Sequence, residues 1–334
     1  MNKNFSFYVQ RYFSAYLIGQ HNYGKNTISS YRDTFRLLNT YLEAHSKKKK
    51  NLKIEDIPRD LIIAFLDWLI NERGNSASTR NVRLAHIKSF FHYVKNEEPA
   101  YFSHCEQIAN IPFTKIEKRP PECMNEDSVA HMLHVINRES KEGLRHLAIL
   151  SLMYDSACRV QEIIDLKVSD IQFEKGRRIY VHGKGNKYRI IPITQETENI
   201  LKKYISVYGL ERDGLLFTNK QKKPLTRQGI SYIFKKYSEA ARKENTGDYN
   251  GKIHPHLLRH SKATHLVGAG VNIYNVRDFL GHSSIVTTEV YLTSNPEVTR
   301  KAIEKVASQT VSGSSEYYSP EEKDELMEFL NNLI

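Results

Sequence analysis

The stretch from His254 to Tyr291 carries residue types that suit chemistry on a phosphodiester. Its sequence is HPHLLRHSKATHLVGAGVNIYNVRDFLGHSSIVTTEVY, in which His256, Arg259 and His282 precede the last tyrosine. Cleavage of a phosphodiester places growing negative charge on the non-bridging oxygens and requires a proton for the leaving alkoxide. Three side chains that bind phosphate well, followed by a tyrosine, therefore suggest phosphodiester chemistry without a metal.

Two residues upstream could complete such a site. Arginine grips phosphate oxygens bidentately and stays charged at any relevant pH, and Arg159 directly follows the nearly all-apolar helix LRHLAILSLMYDSA. Glu162 lies one turn further on, so an ordinary ion pair with Arg159 is the structural alternative. Lys184 lies in GKGN, the turn of a predicted hairpin, where a mobile lysine could reach a phosphate and protonate the leaving oxygen.

Each candidate also has an ordinary explanation. A lone histidine is more often a hydrogen-bonded structural residue than a catalyst, and most tyrosines pack with a bonded hydroxyl. His256 and His260 are four residues apart and share a helix face, which could indicate a metal site. The zinc-protease pattern HExxH needs a glutamate where this chain has Leu257, so we expect no metal.

Composition indicates a two-domain globular protein that binds a polyanion. The chain has 334 residues, with 49 Lys and Arg against 38 Asp and Glu, a net charge of +11. Its length exceeds what one hydrophobic core usually holds, and surplus positive charge attracts nucleic acid. No apolar run approaches the roughly 18 residues of a membrane span and no signal-peptide pattern is visible, so we expect a cytoplasmic protein without membrane contact. Three scattered cysteines, Cys105, Cys123 and Cys158, fit reduced thiols.

The first part of the chain predicts a small all-helical domain. Helices are expected over Phe5–Gly19, after Thr27, from Pro58 and over about Ser78–Lys95. The last of these should bury Val82, Ile87, Phe90, Phe91 and Val94. Its other faces should carry Arg80, Arg83, His86 and Lys88, either against DNA phosphates or in solvent. The prolines of IPFTKIEKRPPE then mark the domain boundary.

The second part predicts a mixed domain. The domain should begin with a helix capped by Asn125, followed by the apolar helix and the hairpin. Further helices are expected near Glu196–Tyr208, Thr226–Lys243 and about Pro296–Ala307. Ser319 caps a short final helix, whose apolar stripe consists of Leu326, Phe329, Leu330 and Leu333. This helix should pack either on its own domain or on a neighbouring copy.

Taken together, the motifs of this chain resemble those of the tyrosine recombinases, the phage-integrase and Xer-like family. The motifs are ACRVQEI, GKGN, HPHLLRH, LGHS and Tyr291. The resemblance covers roughly Phe5 to Lys305. The resemblance implies a mainly α fold with a small β-sheet, in which a helical core-binding (SAM-like) domain and a mixed α+β catalytic domain form a C-shaped clamp. The implied domains are 1–110 for DNA binding, 111–123 as a linker and 124–308 for catalysis. Residues 309–334 form a tail whose helix could be exchanged between subunits.

The resemblance also implies a role for each candidate residue. Tyr291 would attack the scissile phosphate to give a 3′-phosphotyrosyl link, and Lys184 would protonate the 5′ oxygen. The phosphate would be held by Arg159, His256, Arg259 and His282, with His256 also assisting deprotonation of the tyrosine. Glu162 would brace Arg159, and His260 would brace the helix near the phosphate. Neither a cofactor nor a metal is implied.

The implied activity is site-specific recombination of DNA through a Holliday junction. Its substrate would be double-stranded DNA with inverted-repeat core sites, bound at the nucleoid by four copies or by pairs with a related recombinase. A further domain before Phe5 is not expected, which favours a simple Xer-like or transposon type, while integration, excision and chromosome-dimer resolution stay open. One departure is that DSACR has Ala157 and Cys158 where the family usually has a glycine-containing turn.

Two other functions fit parts of the sequence. A type IB topoisomerase-like nicking and closing enzyme uses nearly the same residues as a monomer, but would not need the final helix. A catalytically inactive DNA-binding regulator is the alternative outside enzymology, and the complete set of candidate residues argues against it.

Overall fold

The computed structural model describes residues 3–45, 51–117, 121–174, 176–183, 188–245, 249, 251–293, 300 and 319–332. Over these residues the chain is mostly helical, with one three-stranded antiparallel sheet, which confirms the expected fold class. The chain divides into two compact units, Met1–Lys118 and Arg119–Ile334. None of the described helices combines the length and apolar character needed to cross a membrane.

The first unit consists of helices. Its elements are α1 (Phe5–Arg11), which continues as a π-helical segment (Tyr12–Gln20), α2 (Lys25–His45), α3 (Arg59–Asn71), α4 (Ala77–Glu97) and α5 (Phe102–Ala109). Helix starts follow local chemistry, because the side chains of Asn4 and Ser76 accept backbone N–H bonds at the beginnings of α1 and α4. The π-helical segment places Tyr12 in an aromatic core beside Phe35 and Phe90.

Two expectations for α4 are wrong. Val82 is 48% exposed, because the buried stripe of the helix passes through Leu84, Ile87 and Phe91 and leaves position 82 off that face. His86 is buried: its Nδ1 lies 2.8 Å from the hydroxyl of Thr34, and its ring stacks on Tyr31. Burial lowers the pKa of His86 to about 4, and the charge of Arg83 adds to this, so the ring belongs to the core as a neutral group.

The second unit combines helices with one small sheet. In chain order it contains α6 (Glu126–His134), α7 (Lys141–Ser156), α8 (Val160–Asp165), β1 (Ile171–Gln172), β2 (Arg178–His182), β3 (Tyr188–Pro192), α9 (Gln195–Tyr208), α10 (Arg227–Glu244), α11 (His256–Gly268), α12 (Ile273–Leu280) and α13 (Val286–Thr293). The sheet order is β1-β2-β3, and Tyr180 pairs with Ile190 in the predicted hairpin. The expected helices near 196–208 and 226–243 are confirmed as α9 and α10.

Helix α7 is the centre of the second unit. Nearly all its residues after Glu142 are buried, and most of these are apolar. Buried Arg145 and Asp155 are hydrogen-bonded to the backbone of Thr218 and Thr194.

Ala157 then ends the helix with φ +47° and ψ +29°, the left-handed region that glycine usually occupies. Ala157 thus adopts a conformation that usually requires glycine, and the steric strain costs about 1 kcal/mol. Arg159 follows this turn by two residues.

The final helix is present over Pro320–Asn331, with Ser319 as its cap. Its described side chains are exposed, including Leu326, Phe329 and Leu330 of the predicted stripe. Leu333 and most of the expected helix at 296–307 lie outside the described residues.

Candidate active site

The candidate residues of the second unit are carried by neighbouring elements. Helix α11 packs against α7, α12 and α13. A small apolar cluster joins them, and its buried members are Ala157, Ala263, Val267, Val276, Leu280 and Tyr291. Because this cluster fixes α13 against α11, the side chain of Tyr291 is held within hydrogen-bonding distance of α11.

Arg259 is a buried cation held by uncharged groups. It is 4% exposed, and its guanidinium donates to the carbonyl oxygens of Ala157 at 2.6 Å and Leu280 at 2.7 Å. Burial lowers the pKa of Arg259 to about 10, with the charge of Arg159 as the next cause. Among the described residues it forms no ion pair, so none of them provides a direct counter-ion for its charge. A buried cation of this kind favours the binding of an anion.

Arg159 has a partner of opposite charge and still reaches the surface. Its backbone N–H and Nη1 donate to the carboxylate of Glu162 at 2.7 and 2.9 Å, and its Nη2 donates to the carbonyl of Gly281 at 3.1 Å. The Arg159 side chain is 37% exposed, whereas that of Glu162 is 7% exposed. The ion pair that the sequence suggested between Arg159 and Glu162 is therefore present, and it orients the Arg159 guanidinium without burying it.

Arg189 is a residue that the sequence reasoning missed. From β3 it donates both Nη1 and Nη2 to the carboxylate of Glu162, each at 2.8 Å. Burial alone would raise the pKa of Glu162, but the hydrogen bonds and charges of Arg189 and Arg159 lower it. The sequence signal was a charged residue at the alternating position of β3 that shares a face with buried Ile191.

The loop after α12 completes this part of the site. Gly281 has φ +65°, a left-handed conformation that favours glycine, and a Cβ there would lie 2.9 Å from Nη1 of Arg189, which Glu162 holds in place. His282 follows, with its Nδ1 2.9 Å from the hydroxyl of Thr288. Burial lowers the pKa of His282 to about 4, followed by the charges of Arg259 and Arg159. The ring of His282 is therefore neutral and lies close enough to Arg259 and Arg159 for their charges to lower its pKa.

A cleft of about 620 Å³ opens between this loop and the hairpin. Its lining includes Arg159, Arg189, His282 and, on the hairpin side, Gly183 and Tyr188. Lys184 and the rest of the hairpin turn lie outside the described residues. Gly183 and Tyr188, on either side of the turn, therefore line the same cleft as Arg159 and His282.

Three histidines and Tyr291 form the other part of the site. Nδ1 of His260 lies 2.8 Å from the hydroxyl of Tyr291, which is 2% exposed. The ring of His256 lies one turn earlier on α11, 6.5 Å from the ring of His260 between centroids, and the ring of His254 lies 6.3 Å from it. Packing around the ring lowers the pKa of His256 even though the residue as a whole is exposed, and the charge of Arg259 is the next cause.

The structure therefore brings together all the described candidates. Arg159, Glu162 and Gly281 are joined by hydrogen bonds, Arg259 bonds to the residue before Gly281, and His260 bonds to Tyr291. Among the described residues, no group of three or more His, Cys, Asp and Glu side chains has the arrangement of a metal site. The arrangement offers cations that could hold a phosphate and a buried hydroxyl beside a histidine, and these groups suit phosphoryl transfer to a hydroxyl.

Comparison with known proteins gives the family. Residues 122–297 match the phage integrase family, and residues 9–98 match the phage integrase N-terminal SAM-like domain. An integrase/recombinase of Sinorhizobium fredii is 32% identical over 98% of this chain and 96% of its own length. Tyrosine recombinase XerD of Oceanobacillus iheyensis is 33% identical over 80% of this chain and 86% of its own. The site-specific recombinase XerH bound to its difH substrate shares the fold, with a TM-score of 0.64 at 23% identity over 85% of this chain and 81% of that chain.

The chain therefore belongs to the phage integrase family. It is a tyrosine-type site-specific DNA recombinase, as the sequence predicted.

Proposed function

We propose that this recombinase cleaves and rejoins DNA through Tyr291, with Arg159, His256, Arg259 and His282 holding the scissile phosphate. Tyr291 forms a 3′-phosphotyrosyl link and releases a 5′ hydroxyl. The covalent link conserves the energy of the phosphodiester, so a strand of a partner duplex can rejoin without a nucleotide cofactor. The proposal extends to Lys184 as the general acid for the 5′ oxygen.

The observation that carries the proposal is Arg259. A guanidinium that is 4% exposed, held by two backbone carbonyls and without an ion pair among the described residues, is prepared for an anion. Arg159 adds a second cation, because Glu162 and Gly281 hold its guanidinium by hydrogen bonds while the side chain stays 37% exposed. Fixed donors of this kind stabilise charge that develops in a transition state.

A nicked suicide DNA substrate tests this function. The short strand beyond the nick diffuses away after cleavage, so a covalent adduct accumulates. Wild-type protein should form the adduct and Tyr291→Phe should form none. Tyr154→Phe is the control, because Tyr154 is partly buried and, like Tyr291, is hydrogen-bonded to a histidine of α11. An adduct that persists in Tyr291→Phe contradicts the proposal. Strand exchange between two sites indicates a recombinase, whereas relaxation of supercoils alone indicates a topoisomerase-like activity.

We infer the rest of the assembly from the tail. Four active sites must act on two duplexes, and an element passed from each subunit to the next closes such a ring. The helix Pro320–Asn331 is a candidate, because Leu326, Phe329 and Leu330 are 39%, 63% and 51% exposed. The proposed assembly is a tetramer, of one protein or of two related ones, on inverted-repeat core sites at the nucleoid. The biological process can be movement of a mobile element or resolution of chromosome dimers.

Removal of residues 319–334 tests the exchange of this helix. The truncated protein should bind a single half-site normally and should lose cooperative binding to a full site and synapsis of two sites. Gel-shift titration on half and full sites measures both properties. Unchanged cooperativity after truncation would mean that the helix packs on its own subunit.

A further inference from the structure

The contact between His260 and Tyr291 is closer than a supporting role for His260 requires. Nδ1 of the histidine lies 2.8 Å from the phenolic oxygen, and the ring centroids are 5.8 Å apart. Tyr291 is buried, whereas the ring of His260 is only partly buried. The ring of His260 therefore contacts the buried phenolic oxygen that would attack the phosphate, and is itself partly exposed.

Burial of the tyrosine determines the direction of this hydrogen bond. A neutral imidazole has one donor and one acceptor nitrogen. If Nδ1 of His260 donated, the phenolic proton would have no acceptor among the described residues, and a buried unpaired hydroxyl costs about 1–3 kcal/mol. Tyr291 therefore donates to Nδ1, and Nε2 of His260 carries the ring proton.

Charges around the pair favour this arrangement. Burial lowers the pKa of His260 to about 4, and His256, His254 and Arg259 lower it further, so the ring is neutral in the free protein. Burial raises the pKa of Tyr291, and the charge of Arg259 opposes that rise. A neutral acceptor thus faces a hydroxyl whose anion is stabilised by an arginine.

We propose that His260 is the proton acceptor for Tyr291 in the cleavage step, a catalytic role that rests on the proposed function. As the tyrosine oxygen forms its bond to phosphorus, its O–H bond breaks and the proton passes to Nδ1 of His260. The bond from phosphorus to the 5′ oxygen breaks in the same step, and that oxygen takes a proton from the general acid, for which Lys184 is the candidate. The charge of the phosphodiester is unchanged, and rejoining reverses both proton transfers.

A bound phosphodiester makes the proton transfer easier. Negative charge near an imidazole favours its protonated form, so DNA raises the pKa of His260. The other titratable groups that act on His260 are His254, His256, Arg259 and His282. In the described structure Tyr291 is hydrogen-bonded to His260 and not to His256, which was expected to assist the tyrosine.

His260→Asn tests the proposal, because asparagine can accept a hydrogen bond near the Nδ1 position but takes up no proton at neutral pH. Single-turnover cleavage of the suicide substrate should be slower by about a hundredfold or more. Wild-type cleavage should fall as pH falls through the pKa of His260, because the acceptor must be unprotonated, and the variant should lose this dependence. The control is His265→Asn on the same helix, whose Nδ1 bonds to the hydroxyl of Tyr154 at 2.9 Å; it should cleave normally.

A sulfur leaving group separates the two proton transfers. In a substrate with a 5′-bridging sulfur, the leaving thiolate needs no proton, so the defect of Lys184→Ala should disappear while that of His260→Asn remains. Rescue of His260→Asn by sulfur would overturn the proposal and place His260 at the leaving group. Wild-type rate and pH profile in His260→Asn would also overturn it.

Two further results distinguish an error in the role of His260 from an error in the proposed function. If wild-type protein forms no adduct through Tyr291, the proposed function itself is wrong. If His260→Asn does not fold, nitrogen NMR of the wild-type protein decides the matter: the proposal requires a protonated Nε2 and an unprotonated Nδ1 in His260, and the opposite tautomer contradicts it.

Discussion

Helix α11 holds two tyrosine–histidine pairs that look alike and differ in their surroundings. His260 bonds to Tyr291 at 2.8 Å, and His265 bonds to Tyr154 at 2.9 Å, in each case through Nδ1. Nε2 of His265 lies 2.9 Å from the carbonyl of Met124, which fixes the second pair on both sides. For His260, the described residues provide no such partner at Nε2.

The charges that shift the pKa values of the two tyrosines have opposite signs. Burial raises the pKa of Tyr154 to about 12, and Glu126 and Asp155 raise it further. Burial also raises the pKa of Tyr291, but there Arg259 acts against the rise. The hydrogen bond alone therefore does not mark a nucleophile. The charge of Arg259, which opposes the rise in the pKa of Tyr291, distinguishes the pair proposed to be catalytic from the structural one, where acidic residues raise the pKa of Tyr154.

Among variants that keep Tyr291, the largest expected effect comes from changing Arg259. Arg259→Lys keeps the charge but loses the forked geometry that bonds to Ala157 and Leu280, so cleavage of the suicide substrate should fall by about 10²–10³. Arg145→Lys is the matched control, because Arg145 is 8% exposed and also donates to a backbone carbonyl, that of Thr218. Cleavage per folded molecule should be unchanged in the control. Equal losses in both variants would show that Arg259 is structural.

A smaller effect is expected at Arg189, which acts through its partner. Arg189→Met removes two hydrogen bonds from Glu162, so Arg159 loses part of its support and cleavage should fall by about tenfold. The control is Arg178→Met in β2, where the arginine bonds to Gln172. Because a positioning residue acts through Arg159, the loss from Arg189→Met should largely disappear in an Arg159→Ala background. Independent losses in the double variant would separate Arg189 from the site.

The smallest expected effect is on stability, and it should be shared by the two pairs. Tyr291→Phe and Tyr154→Phe each remove one hydrogen bond to a histidine, so each should lower the free energy of unfolding by about 1 kcal/mol. Urea denaturation measures this difference. A much larger loss in Tyr291→Phe would mean that its inactivity reflects unfolding and not a missing nucleophile.

The sequence predicted the periodic features of the fold, and it named most of the residues that line the candidate site. Apolar stripes gave the helices, and alternation around GKGN gave the hairpin, because these patterns repeat along the chain. His86 and Val82 were misplaced because one helical face can be shifted by a neighbouring helix, and only packing shows that Thr34 and Tyr31 surround His86. Spacing alone cannot show which side chain pairs with which.

The same limit applies to the site. Arg189 is separated from Glu162 by 27 positions, and only the pairing of β2 with β3 and the packing of the sheet bring its guanidinium to that carboxylate. His260 was recognised as a supporting residue, but its contact with Tyr291 depends on how α13 packs on α11. The left-handed Ala157 likewise follows from the tertiary path of the chain, since alanine has no local preference for it.

Identification of the attached residue tests the central claim most directly. The adduct trapped on a nicked substrate can be digested with protease and nuclease, and the modified peptide sequenced by mass spectrometry. The account predicts a nucleotide on Tyr291, linked through its 3′ phosphate, with a free 5′ hydroxyl on the released strand. Attachment to another residue, or linkage through a 5′ phosphate, would contradict it.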